Sequence, residues 1–159
     1  MNEHSFTRLE FDHLLEIVRS FAQTARGREH ILSLAPLDQP YIVRRSLRAV
    51  FECVDLKQRG LLWSFSELPD PSKSISLLNI EASTLDVRSI LDIARLCEQA
   101  FAVRSSIVRE EKSCPVLFSI VKDIPDSLRR LVQVINKHIL PSGELDDRAS
   151  HELAQIRHD

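Results

Sequence analysis

Glycine occurs only 3 times in this chain of 159 residues, and its 7 prolines fall mainly between stretches where apolar residues recur every three or four positions. Few breakers inside the periodic segments, and several between them, restrict the chain to long helices joined by short breaks. No repeat, low-complexity tract or sheet-like alternation competes with that pattern. The expected class is all-α, an irregular multi-helix bundle.

The periodicity places the helices. Phe11, Leu14, Leu15, Val18, Phe21 and Ala22 form one stripe of a first helix, with Thr7 and Glu10 at capping-box spacing ahead of it. Thr24 is the expected N-cap of a second helix, which carries Gly27 in its first turn and stops before Pro36. Asp38 and Pro40 start a third, running to about Arg59 with Gly60 as its stop. Its expected buried stripe is Val43, Leu47, Val50 and Val54, widened by Phe51. Its other face carries Arg44, Arg45, Arg48, Glu52, Asp55 and Arg59, with Arg48–Glu52 and Asp55–Arg59 at four-residue spacing.

Residues 61–83 are the least regular part, because Pro69-Asp70-Pro71 prevents a continuous helix. Ile75, Leu77, Leu78 and Ile80 suggest one short turn packed on the core. Thr84 or Ser83 is the expected cap of the longest helix, over about 85–111, with the stripe Val87, Ile90, Leu91, Ala94, Cys97, Phe101 and Val108. Pro115 and Pro125-Asp126 start two more helices, and Pro141-Ser142-Gly143 breaks the second after His138. Ser150 caps a last one, whose stripe begins with Ala149, Leu153 and Ile156.

Composition matters here for what it excludes. A hydrophobic fraction of 43% is too high for a disordered chain, and a formal charge of −2 gives no general attraction to nucleic acid. Cys53, Cys97 and Cys114 are odd in number and lack zinc-site spacing, which fits a reducing cytoplasm. No leader pattern or apolar run of membrane-spanning length is present, so a cytoplasmic protein without a membrane partner is expected.

The residues supply no catalytic constellation. With glycine only at 27, 60 and 143, no phosphate-cradling P-loop can be built. His151 and His158 share a helix face without an acidic partner pattern and read as solvent-exposed; Asp12-His13 and His158-Asp159 lack the further ligands of a metal phosphohydrolase. No metal site and no catalytic residue are assigned. The candidate nucleic-acid contact is the cluster Arg44, Arg45 and Arg48, three guanidinium groups on one helix face; the competing reading is a solvated face partly paired to Glu52. Trp63 and Phe65 offer stacking surface, although beside Leu61 and Leu62 they read first as core.

The order of these pieces resembles the amino-terminal region of type II MutS proteins, the bacterial MutS branch without mismatch-recognition and connector domains. The resemblance runs through Leu9-Glu10-Phe11-Asp12, Thr24-Ala25-Arg26-Gly27-Arg28-Glu29 leading to Leu34-Ala35-Pro36, and the long helix over 85–96. Its most distinctive part is Gly143-Glu144-Leu145-Asp146-Asp147-Arg148-Ala149-Ser150, then Glu152-Leu153 and Ile156-Arg157. Asn79-Ile80-Glu81-Ala82 departs from it, standing where the family is usually rich in glycine, and His151 stands where proline is common.

The resemblance implies a helical core/lever domain over 1–145 and the start of a lever helix over 146–159. It places an ATPase domain, with ATP and magnesium, and an Smr nuclease-like domain beyond residue 159. The parent would be a homodimeric ATPase acting on branched DNA or stalled ribosomes, and this part would pass movement through packed helices. Apart from the resemblance, the residues leave open a stand-alone helical protein-interaction module.

Overall fold

The computed structural model of the chain describes residues 10–65, 68–146 and 149. Among them the fold is all-α, with seven helices and no strand, as the glycine and proline pattern predicts. The helices are α1 (Phe11–Ser20), α2 (Ala25–Leu32), α3 (Pro40–Gln58), α4 (Ser72–Leu78), α5 (Val87–Arg109), α6 (Pro115–Val121) and α7 (Ser127–His138). They fall into two compact units, Met1–Asp70 and Pro71–Asp159, with the Pro69-Asp70-Pro71 break at their junction. Thr7, His151, His158 and the helix capped by Ser150 lie outside the described residues, as does the 143–157 motif beyond Asp146 apart from Ala149.

In the first unit, α1 packs on α2. Glu10 is itself the N-cap of α1, in a left-handed conformation with φ 51°. Helix α2 begins as expected: the Thr24 hydroxyl accepts the Gly27 N–H at 3.0 Å. A Cβ at Gly27 would stand 2.9 Å from that oxygen, so a side chain there would crowd the cap. Helix α3 starts with Pro40 in its first turn and closes at Gly60, whose φ of +83° suits glycine. The Gly60 N–H reaches Lys57 O at 3.0 Å and the Leu61 N–H reaches Leu56 O at 2.9 Å. These two bonds satisfy carbonyls that the helix end would otherwise leave without partners.

The stripe predicted to bury α3 does not do so. Leu47, Val50, Phe51 and Val54 are exposed, while Glu52 and Leu56 on the opposite side of the helix are each 1% exposed. At about 100° per residue, Glu52 and Leu56 lie roughly 180° from the centre of that stripe. The carboxylate tolerates burial because the Arg48 Nε–H donates to its Oε1 at 3.0 Å. Among the described residues of this unit only Leu15, Glu52 and Leu56 are buried.

The second unit has the fuller core. Helix α5 packs on both α6 and α7. Ala94, Ile135 and Ile139 form a buried cluster against Val87, Ile90 and Leu91. Cys97 and Phe101 continue the stripe read from the sequence, but Ile107 replaces Val108 as its buried end. Ile75, Leu77, Leu78 and Ile80 are exposed, so α4 is two turns long and does not bury the face expected of it. Ala82, within the segment that departs from the glycine-rich pattern, takes a left-handed φ of 61°, a strain of roughly 1–2 kcal/mol for a residue with a Cβ. After α7 the chain turns back through Gly143 (φ +89°). There the Leu140 N–H bonds Glu144 O at 2.8 Å and the Asp146 N–H bonds His138 O at 2.9 Å.

Asp86, not Thr84 or Ser83, caps α5. Its carboxylate accepts the Ser89 N–H at 2.9 Å and the Ser89 hydroxyl at 2.8 Å. Those bonds, the backbone one first, hold its carboxyl below the usual 3.8. A depressed folded-state pKa means that the stabilisation is present above the unfolded value and is lost as pH falls through the folded value. Asp86→Ala is therefore expected to lower the melting temperature at neutral pH, with the deficit closing in strong acid. Asp86→Asn, which caps without titrating, should narrow the neutral-pH deficit. An Asp86→Ala deficit of the same size at both pH values would exclude the charged cap.

Candidate functional site

Helix α3 carries the residues that chemistry could use, and it divides them between two faces. Arg44, Arg45 and Arg48 are exposed on its N-terminal half. Arg48 is committed to buried Glu52, and its guanidinium also lies 5.6 Å from the centre of the Phe51 ring. Asp55 and Arg59 form the second expected pair, at 3.0 Å. Of the three arginines, Arg48 thus has a structural role as a partner of Glu52, and Arg44 is the one that extends beside the apolar stripe.

The other face is the feature the sequence reading misplaced. Leu47 is 64% exposed, Val50 61%, Phe51 60% and Val54 46%. With half-buried Val43 these make a contiguous apolar seam along a 19-residue helix. Single exposed leucines are ordinary, but a contiguous seam of this kind marks a contact surface. Its signal was already in the spacing: Val43, Leu47, Val50 and Val54 step by four, three and four, the period of a helix-to-helix seam.

Next to the seam lies an open groove of about 400 Å³. The corner between α1 and α2 contributes Phe21 and Thr24, α3 contributes Cys53 and Lys57, and the segment after α3 contributes Leu62 and Trp63. The Phe65 N–H, bonded to Gln23 Oε1 at 2.6 Å, holds that segment beside the corner. Trp63 and Phe65 are half-buried, between the core and stacking readings. Burial, and then the Glu52 charge, push the Cys53 thiol above its usual 9.0, which keeps it protonated at neutral pH and a poor nucleophile. Among the described residues no group of three or more His, Cys, Asp or Glu is placed to hold a metal ion. No helix among them is long and apolar enough to cross a membrane.

The described residues are therefore all-helical, with an exposed apolar face along α3. Over 99% of its length the chain is similar to proteins named endonuclease MutS2: 29% identical to that of Halothermothrix orenii, 28% to that of Pelotomaculum thermopropionicum and 26% to that of Aquifex aeolicus. The chain spans about a fifth of the length of these curated relatives, 20–21%. No family model matches the chain. No solved structure matches it.

Proposed function

We propose that this chain is the amino-terminal, non-catalytic scaffold of a cytoplasmic MutS2-type protein. In this reading its helices pass ATP-driven movement from an ATPase domain elsewhere in a homodimeric parent to the part that engages branched DNA or a stalled ribosome. The observation that carries the reading is the similarity to MutS2 proteins of several organisms along 99% of this chain. The order of short motifs from Leu9 to Arg157 supports the amino-terminal placement, and the absence of any possible P-loop among glycines 27, 60 and 143 supports a non-catalytic role. Arg44 and Arg45, with Arg48, are the candidate phosphate contacts within it.

Two measurements test this. Sequencing the gene downstream of the Asp159 codon should reveal a long helical stretch and then a P-loop. The purified chain should show no saturable ATP binding by calorimetry at micromolar concentration. A stop codon directly after Asp159 would sink the scaffold reading, and micromolar ATP binding would sink its non-catalytic part. The second reading is a stand-alone interaction module, which the uncovered α3 seam favours and which the stop codon would support.

A further inference from the structure

We propose that the α3 seam is the docking site for one amphipathic helix of a longer polypeptide containing this chain, with apolar residues at four-three-four spacing and carboxylates along its edges. The seam defines the shape of that partner. Val43, Leu47, Val50 and Val54 keep one line along α3, with Phe51 beside it, so the fitting surface is a second helix whose apolar residues repeat every 3.5 positions. The rim defines its charge. Arg44 flanks the seam near Leu47 and Lys57 flanks it near Val54, and both are exposed. The helix's two carboxylates are engaged within α3, Glu52 by Arg48 and Asp55 by Arg59, each at 3.0 Å. A partner helix edged with Glu or Asp meets that rim favourably, and one edged with Lys meets like charge.

Size argues for a partner in the same polypeptide over a second copy. A stable interface between separate proteins buries about 800 Å² on each side over roughly 20–30 residues, and a single-helix seam of five side chains falls well short. A tethered helix needs less surface, because a linker holds it at an effective concentration around the millimolar range. The MutS2 relatives are about five times as long as this chain, which supplies the length such a helix requires. The proposal rests on the MutS2-type reading for the source of the helix, but not for the chemistry of the seam.

The test uses the whole chain and two fluorescent designed peptides, each an amphipathic helix with Leu at the seam positions, one edged with Glu and the other with Lys. Anisotropy should show the Glu-edged peptide saturating at about 100 μM, a weak affinity suited to a small interface, and the Lys-edged peptide binding about tenfold more weakly. Leu47→Asp, at an exposed position that leaves the fold intact by circular dichroism, should remove binding of the Glu-edged peptide. Arg44→Glu with Lys57→Glu should reverse the preference between the peptides.

Absence of saturation by either peptide, or binding that Leu47→Asp leaves unchanged, overturns the proposal. So does dimerisation of the chain alone that Leu47→Asp abolishes, since the occupant would then be a second copy. Binding of duplex DNA that is lost in Arg44→Glu, without any peptide binding, makes the face a phosphate-binding one and also overturns it. A stop codon after Asp159 overturns the tethered occupant together with the MutS2-type reading, whereas a downstream P-loop with no peptide binding overturns the docking proposal alone.

Discussion

Leu56→Ala is expected to unfold the first unit selectively. Leu56 is 1% exposed and is one of only two buried apolar side chains among the described residues of Met1–Asp70, the other being Leu15. Its carbonyl also accepts the Leu61 N–H that closes α3. Truncating a buried leucine costs about 2–5 kcal/mol through lost transfer energy and the cavity left behind. A unit of 70 residues, Met1–Asp70, has little stability in reserve, because it buries a smaller share of its surface than a larger domain does. Hydrogen exchange should therefore show the α1, α2 and α3 amides losing protection in the variant. The α5 and α7 amides, which rest on Ala94, Ile135 and Ile139, should change little. Equal loss of protection in both units would mean that they fold as one cooperative body.

The same side chain shows where the sequence was legible and where it was not. Helix positions followed from local chemistry: Pro40 and Pro115 stand in the first turns of α3 and α6, Thr24 caps α2 and Gly60 ends α3. These signals act within a few residues, so no knowledge of tertiary contacts was needed. The stripe of α5 was also legible from Val87 to Phe101, because α6 and α7 lie within this chain to cover it. In α3 the spacing placed the apolar stripe on one helix face correctly, but periodicity cannot say whether a face is covered, and this one is exposed among the described residues. Nothing in a Glu four residues after an Arg distinguishes a solvated pair from one whose carboxylate is buried, so Glu52 read as surface. The cap of α5 was misplaced for a more local reason. Ser83, Thr84 and Asp86 are all capping residue types, and only the geometry that brings Ser89 onto the Asp86 carboxylate separates them.

Arg48→Ala is expected to act on stability, and thereby to separate the two roles assigned to the arginine cluster. The Arg48 Nε–H donates to Glu52 Oε1 at 3.0 Å, and the Glu52 side chain has 0% exposure, against 51% for that of Arg48. Removing the arginine deprives a buried acceptor of a charged donor, at a cost of about 1–3 kcal/mol. The half-exposed guanidinium keeps the loss below that of a fully buried pair. Arg44→Ala, at an exposed position, should change stability by no more than about 0.5 kcal/mol. Chemical denaturation of the two variants measures this contrast, with Arg48→Ala shifting the midpoint down and Arg44→Ala leaving it nearly in place.

Weak duplex-DNA binding, measured on the same proteins at low salt, gives the other half of the comparison. If the cluster contacts phosphates, Arg44→Ala reduces the salt-sensitive binding without loss of stability, because each cation withdrawn from the backbone lowers the counterion-release slope by about one. Arg48→Ala, assayed where it remains folded, should change that slope less, since its charge is already neutralised by Glu52. A slope that falls equally in both variants would show that Arg48 reaches phosphate despite Glu52. An Arg48→Ala variant as stable as the parent would show that the carboxylate does not depend on its guanidinium.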